Sequence, residues 1–382
     1  SPYNSIAMAR NTGSDRISYL TPDEVDRFLQ DVLKRVSRSF YLSLRVLPKK
    51  MRKPVGLAYL LARVADTIAD HHRPTQQRQE KLDDLRFFQS QVKGPHDLPN
   101  IRSLVSRYTA DSSSDESAVF YSLIDAFALL EVLDKDDQNL VREVVSTLVE
   151  GMDMDLKVFP AEDTDGLVAL STMEDLDRYT YLVAGCVGEF WTRIAVGSET
   201  SLNEWDVEKM SGIGVRFGKA LQLTNVLRDI PSDLRIGRCY LPLDELSVAG
   251  LTPEDLLHCA NESRAKAVFI PWMEIALGHF QAAEEYLTAI PRRSVRLRLA
   301  CLWPLLLGLA TLVRLAESGK WLDPTSKVKV SRGSVYRMML LSLPVVFSNR
   351  LLHSWIARLR RRAYRAVSYH HPPMPAKAWG AP

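Results

Sequence analysis

The sequence predicts an all-α protein, on three observations. Apolar residues recur three and four positions apart through most of the 382 residues, the spacing of one buried helix face. No convincing run of alternating apolar and polar residues, as a half-buried strand requires, interrupts them. No stretch rich in proline, glycine and serine divides the middle of the chain, so one large helical domain is expected.

The elements follow from breakers and caps. Residues 1 to 20 are polar and expected to be flexible. Thr21-Pro22-Asp23-Glu24 opens a helix with a capping hydroxyl, a first-turn proline and acids where the dipole favours them. That pattern runs to about Leu47, and Pro48 interrupts it. Val55 to Asp70 is the next helix, ended by the polar segment His71 to Gln79, and Asp111 to Glu116 reads as a loop. Helices are expected at Ala118–Leu130, Gln138–Val158, Met173–Val196 and Glu208–Ile230. After a loop, Gly237-Arg238-Cys239-Tyr240-Leu241-Pro242, helical pattern resumes to about Ser318, and the main domain is taken as residues 21–334.

From Val335 to Tyr369 the sequence changes character. Met338 to Phe347 is apolar, and Leu351 to Arg362 mixes apolar with cationic residues. Two readings are open: an amphipathic basic helix at an anionic membrane surface, or a terminal helix packed on the domain with a solvated basic end. Residues 370–382 are proline-rich and expected to be disordered.

With 46% hydrophobic and 25% charged residues the chain is globular and able to bury a large core. A net charge of +3 argues against a nucleic-acid partner. Cys186, Cys239, Cys259 and Cys301 form no CxxC pair, and no short apolar leader with a cleavage site precedes the first helix. A reduced, cytoplasmic protein is expected, peripheral at the inner face of a membrane under the first reading of the C-terminal segment. The apolar window Cys301 to Leu315, interrupted by Pro304 and Arg314, reads as a buried core helix.

Two aspartate-rich signatures about 160 residues apart carry the chemistry. In the first, Tyr59, Arg63, Asp66 and Asp70 are spaced four, three and four, which puts them on one polar stripe of an apolar helix. A DxxxD pair alone is usually a solvated helix face. Arg63 is either an ion-pair partner of these aspartates or a bidentate donor to phosphate oxygens. The second stripe is Gln222, Asn225, Asp229 and Asp233, with Arg228 beside it. Asn225 contributes a neutral oxygen that moderates carboxylate repulsion. Pro231 is expected to kink or end this helix, which leaves Asp233 either a water-bridged ligand or none. Mg²⁺, or Mn²⁺ in its place, prefers a few carboxylates plus substrate phosphate oxygens, so two such stripes across a cavity describe a metal–diphosphate site.

These residues carry a family resemblance. Ser37-Arg38-Ser39-Phe40, Tyr59-x-x-x-Arg63-x-x-Asp66-x-x-x-Asp70, Tyr179-Thr-Tyr181-Leu-Val-Ala-Gly185-x-Val-Gly188 and Gln222-Leu-Thr-Asn225-Val-Leu-Arg228-Asp229 resemble, in order and spacing, the squalene/phytoene synthase family. The resemblance covers about residues 25 to 310 and looks closest to bacterial squalene synthases. It implies an isoprenoid-synthase helical fold with a central substrate cavity. It also implies a head-to-head condensation of two farnesyl diphosphates to presqualene diphosphate, followed by NADPH-dependent reduction to squalene. The metal ligands it implies are Asp66, Asp70, Asn225 and Asp229, with Asp233 a further candidate from its place on the second stripe, and the substrate contacts are Ser37, Arg38, Ser39, Tyr59, Arg63, Gln222 and Arg228. Arg38, Arg63, Lys329 and Arg332 would lie near the reductant, Ser331 standing where a second basic residue is expected. Related enzymes that stop at presqualene diphosphate, or make dehydrosqualene or phytoene, are the alternative, and a non-catalytic binding or assembly protein is a third reading.

Tyr179 and Tyr181 are candidates for cation stabilisation and proton transfer, or else core aromatics. Ala184, Gly185 and Gly188 leave room for a prenyl chain or for close helix packing. Gly212-Ile-Gly214-Val-Arg-Phe-Gly218 has the wrong spacing for a dinucleotide fingerprint and no preceding strand, so it reads as helix packing.

Overall fold

A computed structural model describes residues 27, 29–34, 44–70, 78–110, 114–159, 166–326 and 328–370. Ser37, Arg38 and Ser39 lie outside the described residues, as do the segment expected to be flexible at 1–20 and residues 371–382 of the expected tail. The described residues are almost entirely helical, as the apolar spacing predicts. They fall in two compact units, one within Ser1–Leu156 and Phe190–Asn203, the other within Lys157–Glu189 and Glu204–Pro382.

The first unit is built on α1 (Lys49–Asp70), which buries Leu57, Leu60, Leu61, Val64, Ala65 and Ile68. This helix begins six residues before the expected Val55 and accommodates Pro54. Packed with it are α2 (Arg78–Lys93), α4 (Ser114–Tyr121) and α5 (Leu123–Val132). Between them, α3 (Leu98–Thr109) opens on Asp97, whose carboxylate accepts from the Asn100 amide at 3.2 Å. The expected Ala118–Leu130 helix is thus two helices, and the first starts at Ser114, inside the expected loop. At the break, the Ser122 hydroxyl donates to the Val119 carbonyl at 2.7 Å. In α6 (Lys135–Val158) the Ser146 carbonyl accepts from Gln89 Nε2 at 2.9 Å, tying α6 to α2.

In the second unit, α7 (Met173–Thr180) opens with a reciprocal Thr172–Asp175 capping box. One continuous helix to Val196 is expected. Instead a π turn, Tyr181–Gly185, separates α7 from α8 (Cys186–Ser198), whose residues from Phe190 on belong to the first unit. Next, α9 (Val207–Asp233) is capped by Asp206, contains Pro231 and ends two residues beyond it in a 3₁₀ turn. A two-residue parallel pairing of β1 (Val168–Ala169) with β2 (Arg238–Cys239) joins the segments ahead of α7 and after α9. The unit continues with α10 (Leu243–Val248), α11 (Glu262–Ala289), α12 (Val295–Ser318), α13 (Arg332–Val345) and α14 (Asn349–His370).

The core of this unit is the packing of α9, α11, α12 and α14. Among the described residues α12 is the one helix long and apolar enough to cross a membrane. Within the unit it is a core helix, with Leu302, Leu305, Leu306, Leu309 and Leu312 buried, as expected for the Cys301–Leu315 window. On α14, Leu352, Ile356, Ala363 and Val367 are buried, and buried Glu284 of α11 accepts from Arg360 Nη1 at 2.9 Å. Arg298, fully buried on α12, donates to the Ile290 carbonyl at 2.8 Å and to Asn349 Oδ1 at 2.6 Å. The apolar face of α14 is therefore consumed inside the unit.

Candidate functional site

The first stripe lies on α1 as the spacing requires. Tyr59, Arg63, Asp66 and Asp70 all reach solvent to some extent, while Leu60, Leu61, Val64, Ala65, Thr67 and Ile68 between them are buried. The Thr67 hydroxyl donates to the Arg63 carbonyl at 2.8 Å. Arg63 itself donates to the Asp66 carboxylate, so of the two partners open to it in the sequence, Asp66 is the one it pairs with.

The second stripe lies on α9. Gln222, Asn225, Arg228, Asp229 and Asp233 are half-buried beside the fully packed Leu223, Thr224, Val226, Leu227 and Ile230. Arg228 Nε donates to Asp229 Oδ1 at 2.7 Å, and Nη2 reaches the second carboxylate oxygen. That hydrogen bond raises the Arg228 pKa above its ordinary value, against the opposing effect of burial. Each signature thus presents an arginine already engaged with the aspartate expected to bind metal. The first stripe belongs to one unit and the second to the other.

Among the described residues no group of three or more His, Cys, Asp or Glu side chains is placed to hold a metal ion. The donors present are half-exposed carboxylate and amide oxygens in small sets. Such a donor set fits Mg²⁺, which keeps open positions for phosphate oxygens and waters and does not need an all-protein cage.

Upstream of the polar stripe, the same face of α9 meets the π turn and α8. A Cβ on Gly218 would lie 2.2 Å from the Ala184 carbonyl oxygen, and one on Gly185 would lie 3.1 Å from Val215 Cγ1. Gly185, Gly188 and Gly218 therefore serve close packing, as read for the Gly212 to Gly218 segment, whereas Gly212 itself has nothing within 4 Å of an added Cβ. Lys219 Nζ donates to Asp177 Oδ1 at 2.6 Å, fixing α9 to α7. π turns occur disproportionately at functional sites, and this one carries Tyr181.

Tyr179 is buried and stacks on Tyr240, ring centroids 4.8 Å apart, and Tyr240 meets Phe159 edge-on at 4.9 Å. Tyr181 is half-buried, and its hydroxyl donates to Glu189 Oε2 at 3.4 Å. Phe159 belongs to no motif, and neither Tyr240, in the loop after α9, nor Glu189 has a role that the sequence assigns. The spacing of eight residues between Tyr181 and Glu189 is the one local signal that could have found a partner. Beside Tyr240, burial pushes the Cys239 thiol up to about 12, which leaves it un-ionised. Lys329 and Arg332 are both exposed at the start of α13. Ser331, in place of the expected basic residue, is the N-cap of that helix, accepting from the Ser334 amide at 3.3 Å.

The all-helical architecture is that of the squalene synthase-type isoprenoid synthases. It superimposes on a solved structure of TcSQS in complex with the ligand E5700 at a TM-score of 0.70, with 22% identity, covering 91% of this chain and 100% of that one. The sequence model of squalene/phytoene synthase matches residues 33–334, and the chain belongs to that family. A presqualene diphosphate synthase from Rhodopseudomonas palustris is 29% identical over 79% of this chain and 91% of its own length. A bifunctional lycopene cyclase/phytoene synthase from Phaeosphaeria nodorum is 29% identical over 72% of this chain and 45% of its own. Chains of this family are prenyltransferase-type enzymes that act on prenyl diphosphates.

Proposed function

We propose that this chain joins two farnesyl diphosphates head to head to give presqualene diphosphate. The observation that carries the reading is the pair of helical stripes, each with an arginine engaged on the aspartate beside it. Asp66 and Asp70 on α1, and Asn225 and Asp229 on α9, would hold Mg²⁺ (or Mn²⁺), with Asp233 as a further ligand. When bound, the metal neutralises diphosphate charge and polarises the C–O bond that breaks.

The chain's own residues supply the rest. Arg63 and Arg228 exchange their carboxylate partners for diphosphate oxygens, which releases both carboxylates for metal. Tyr59 and Gln222 lie on the same stripes and contact substrate there, as would Ser37, Arg38 and Ser39. Coupling forms a carbon–carbon bond, expels one diphosphate and, as the cyclopropane closes, loses one proton. Tyr181, half-buried and hydrogen-bonded to Glu189, is the better placed tyrosine to move that proton. Tyr179, held in its stack, presents a ring to a cation. The un-ionised Cys239 is no strong nucleophile toward an allylic cation.

A second reading continues to squalene. It is favoured by the exposed cations Lys329 and Arg332, which with Arg38 and Arg63 would hold the phosphates of NADPH. NADPH would supply the hydride that, with loss of the second diphosphate, yields the hydrocarbon. The name of the Rhodopseudomonas relative favours the first reading. Purified protein given farnesyl diphosphate and Mg²⁺, with and without NADPH, decides by mass spectrometry of the extract. Presqualene diphosphate in both reactions supports the coupling reading, squalene only with NADPH supports the second, and no product from C15 or C20 substrates removes both.

A further inference from the structure

The last helix carries a row of like charges that the proposed reaction does not use. Arg358, Arg361, Arg362 and Arg365 follow one another on α14 at steps of three, one and three, on the side away from buried Ile356, Ala363 and Val367. Cations one turn apart repel and weaken a helix, so the row costs stability until an anion offsets it.

The row is one wall of a recess. With Glu317 of α12, Tyr369 and His370, the four arginines line a cavity of about 680 Å³. His370 packs edge-on against the fully buried Trp321, ring centroids 5.4 Å apart, which fixes this end of the cavity to the core. Lys266 Nζ lies 3.5 Å from His370 Nδ1 and adds to the positive field. Glu317 is the one acid in the lining, and Arg362 already engages it, its Nη2 donating at 2.8 Å. Arg361 Nε donates to the Ala357 carbonyl at 3.3 Å. Arg358, Arg361 and Arg365 have no carboxylate partner among the described residues. Three uncompensated guanidinium groups therefore line one cavity.

The planar fork of a guanidinium matches the paired oxygens of a phosphate, and a recess concentrates the field of its cations. From residue 358 to residue 365 the row covers about 10 Å of helix, with a cation on every turn. One phosphate would meet only part of it, whereas linked phosphates present negative oxygens along their whole length. We propose that this cavity binds a soluble linear polyphosphate anion, either inorganic triphosphate or the triphosphate chain of a nucleotide. Tyr369 is 85% exposed and offers a ring on which a nucleobase would stack, so it separates the two sources. None of the lining residues lies on α1 or α9, and the site needs no metal.

The test is isothermal titration calorimetry of the full chain with sodium tripolyphosphate, ATP and sodium sulfate at matched ionic strength, in EDTA so that no metal-dependent diphosphate binding contributes. Expected is one tripolyphosphate site per chain and no measurable binding of sulfate. Arg358→Gln/Arg365→Gln should weaken binding roughly a hundredfold, about tenfold for each guanidinium. Glu317→Gln releases Arg362 and should strengthen binding by roughly tenfold. Arg63→Gln/Arg228→Gln should leave it unchanged. Circular dichroism with thermal unfolding verifies that each variant is folded, and Glu317→Gln reads the same cavity in the opposite direction if the arginine pair is not. ATP bound more tightly than tripolyphosphate, with the difference lost in Tyr369→Ala, assigns the site to a nucleotide; equal or weaker ATP binding assigns it to the inorganic chain. The proposal is overturned by absence of tripolyphosphate binding, by affinity no better than that for sulfate, or by binding that neither cavity variant alters. Loss of binding in Arg63→Gln/Arg228→Gln overturns it as well, by moving the anion to the aspartate stripes. Turnover is not part of the readout, so the result stands apart from the reaction proposed above.

Discussion

Gly188 and Gly214 meet backbone to backbone, so closely that a Cβ on Gly188 would stand 1.9 Å from the Gly214 carbonyl oxygen and 2.3 Å from its carbon. No rotamer change relieves contact with a carbonyl, so Gly188→Ala must separate α8 from α9. The expected cost is about 1–3 kcal/mol. Gly212, on the same α9, has nothing within 4 Å of a built Cβ, and Gly212→Ala is expected to be stabilising by about 0.5–1 kcal/mol. Urea denaturation of the two variants checks the contrast, and equal effects would remove the packing argument.

The metal assignment predicts a separation of activity from stability. Asp66 and Asp229 are each paired with an arginine and about 40% exposed, so Asp66→Asn and Asp229→Asn should cost less than about 1 kcal/mol of stability. Turnover should fall by at least about a hundredfold in each. Chelation by EDTA should abolish turnover of the parent chain, and added Mg²⁺ should restore it. Near-parental activity in either variant would dismiss its aspartate as a ligand.

Tyr179 and Tyr240 offer a second separation. Tyr240→Ala removes one ring of the stack and opens a cavity beside Phe159, with an expected loss of about 3–5 kcal/mol. Tyr179→Phe keeps the ring and is expected to remain within about 1 kcal/mol of the parent chain, leaving the effect of its hydroxyl on product formation to be read cleanly. Thermal unfolding combined with product analysis measures both.

A pH effect is expected from His279 on α11. Its Nδ1 accepts from Arg216 Nε at 3.3 Å, and Arg216 Nη2 donates to the Gly278 carbonyl at 2.9 Å. Burial, then the charges of Arg216 and Lys219, lower the His279 pKa from 6.5 to about 4. The unfolded chain therefore takes up a proton below about pH 6.5 that the folded chain refuses until about pH 4. This residue contributes no loss above that window and a growing loss of stability as pH falls through it. Unfolding midpoints of the parent chain and of His279→Gln, compared between pH 7 and pH 5, should show a smaller decline in the variant.

Much of the candidate site was legible because helical periodicity is a local property. Tyr59, Arg63, Asp66 and Asp70 declare a shared face by spacing alone, and the buried residues between them bear this out. Gln222, Asn225 and Asp229 do the same on α9, and Pro231 marks the helix end to within two residues. The π turn at Tyr181–Gly185 was not legible, because the sequence around it is compatible with unbroken helix and only the crossing against α9 distinguishes the two. The break at Ser122 was missed for a related reason: a serine inside an apolar helical pattern carries no necessary signal of ending it.

The all-α class, the two aspartate stripes and membership of the family follow from residue order, since each depends on neighbours three or four positions apart. Tertiary structure decided the rest. It placed Tyr240 on Tyr179 from sixty-one residues away, made Ser331 a helix cap, buried the apolar face of α14 and left that of α13 open. Those outcomes depend on which surfaces meet when distant helices pack, and a spacing rule that reaches one helical turn holds no information about a partner dozens of residues away.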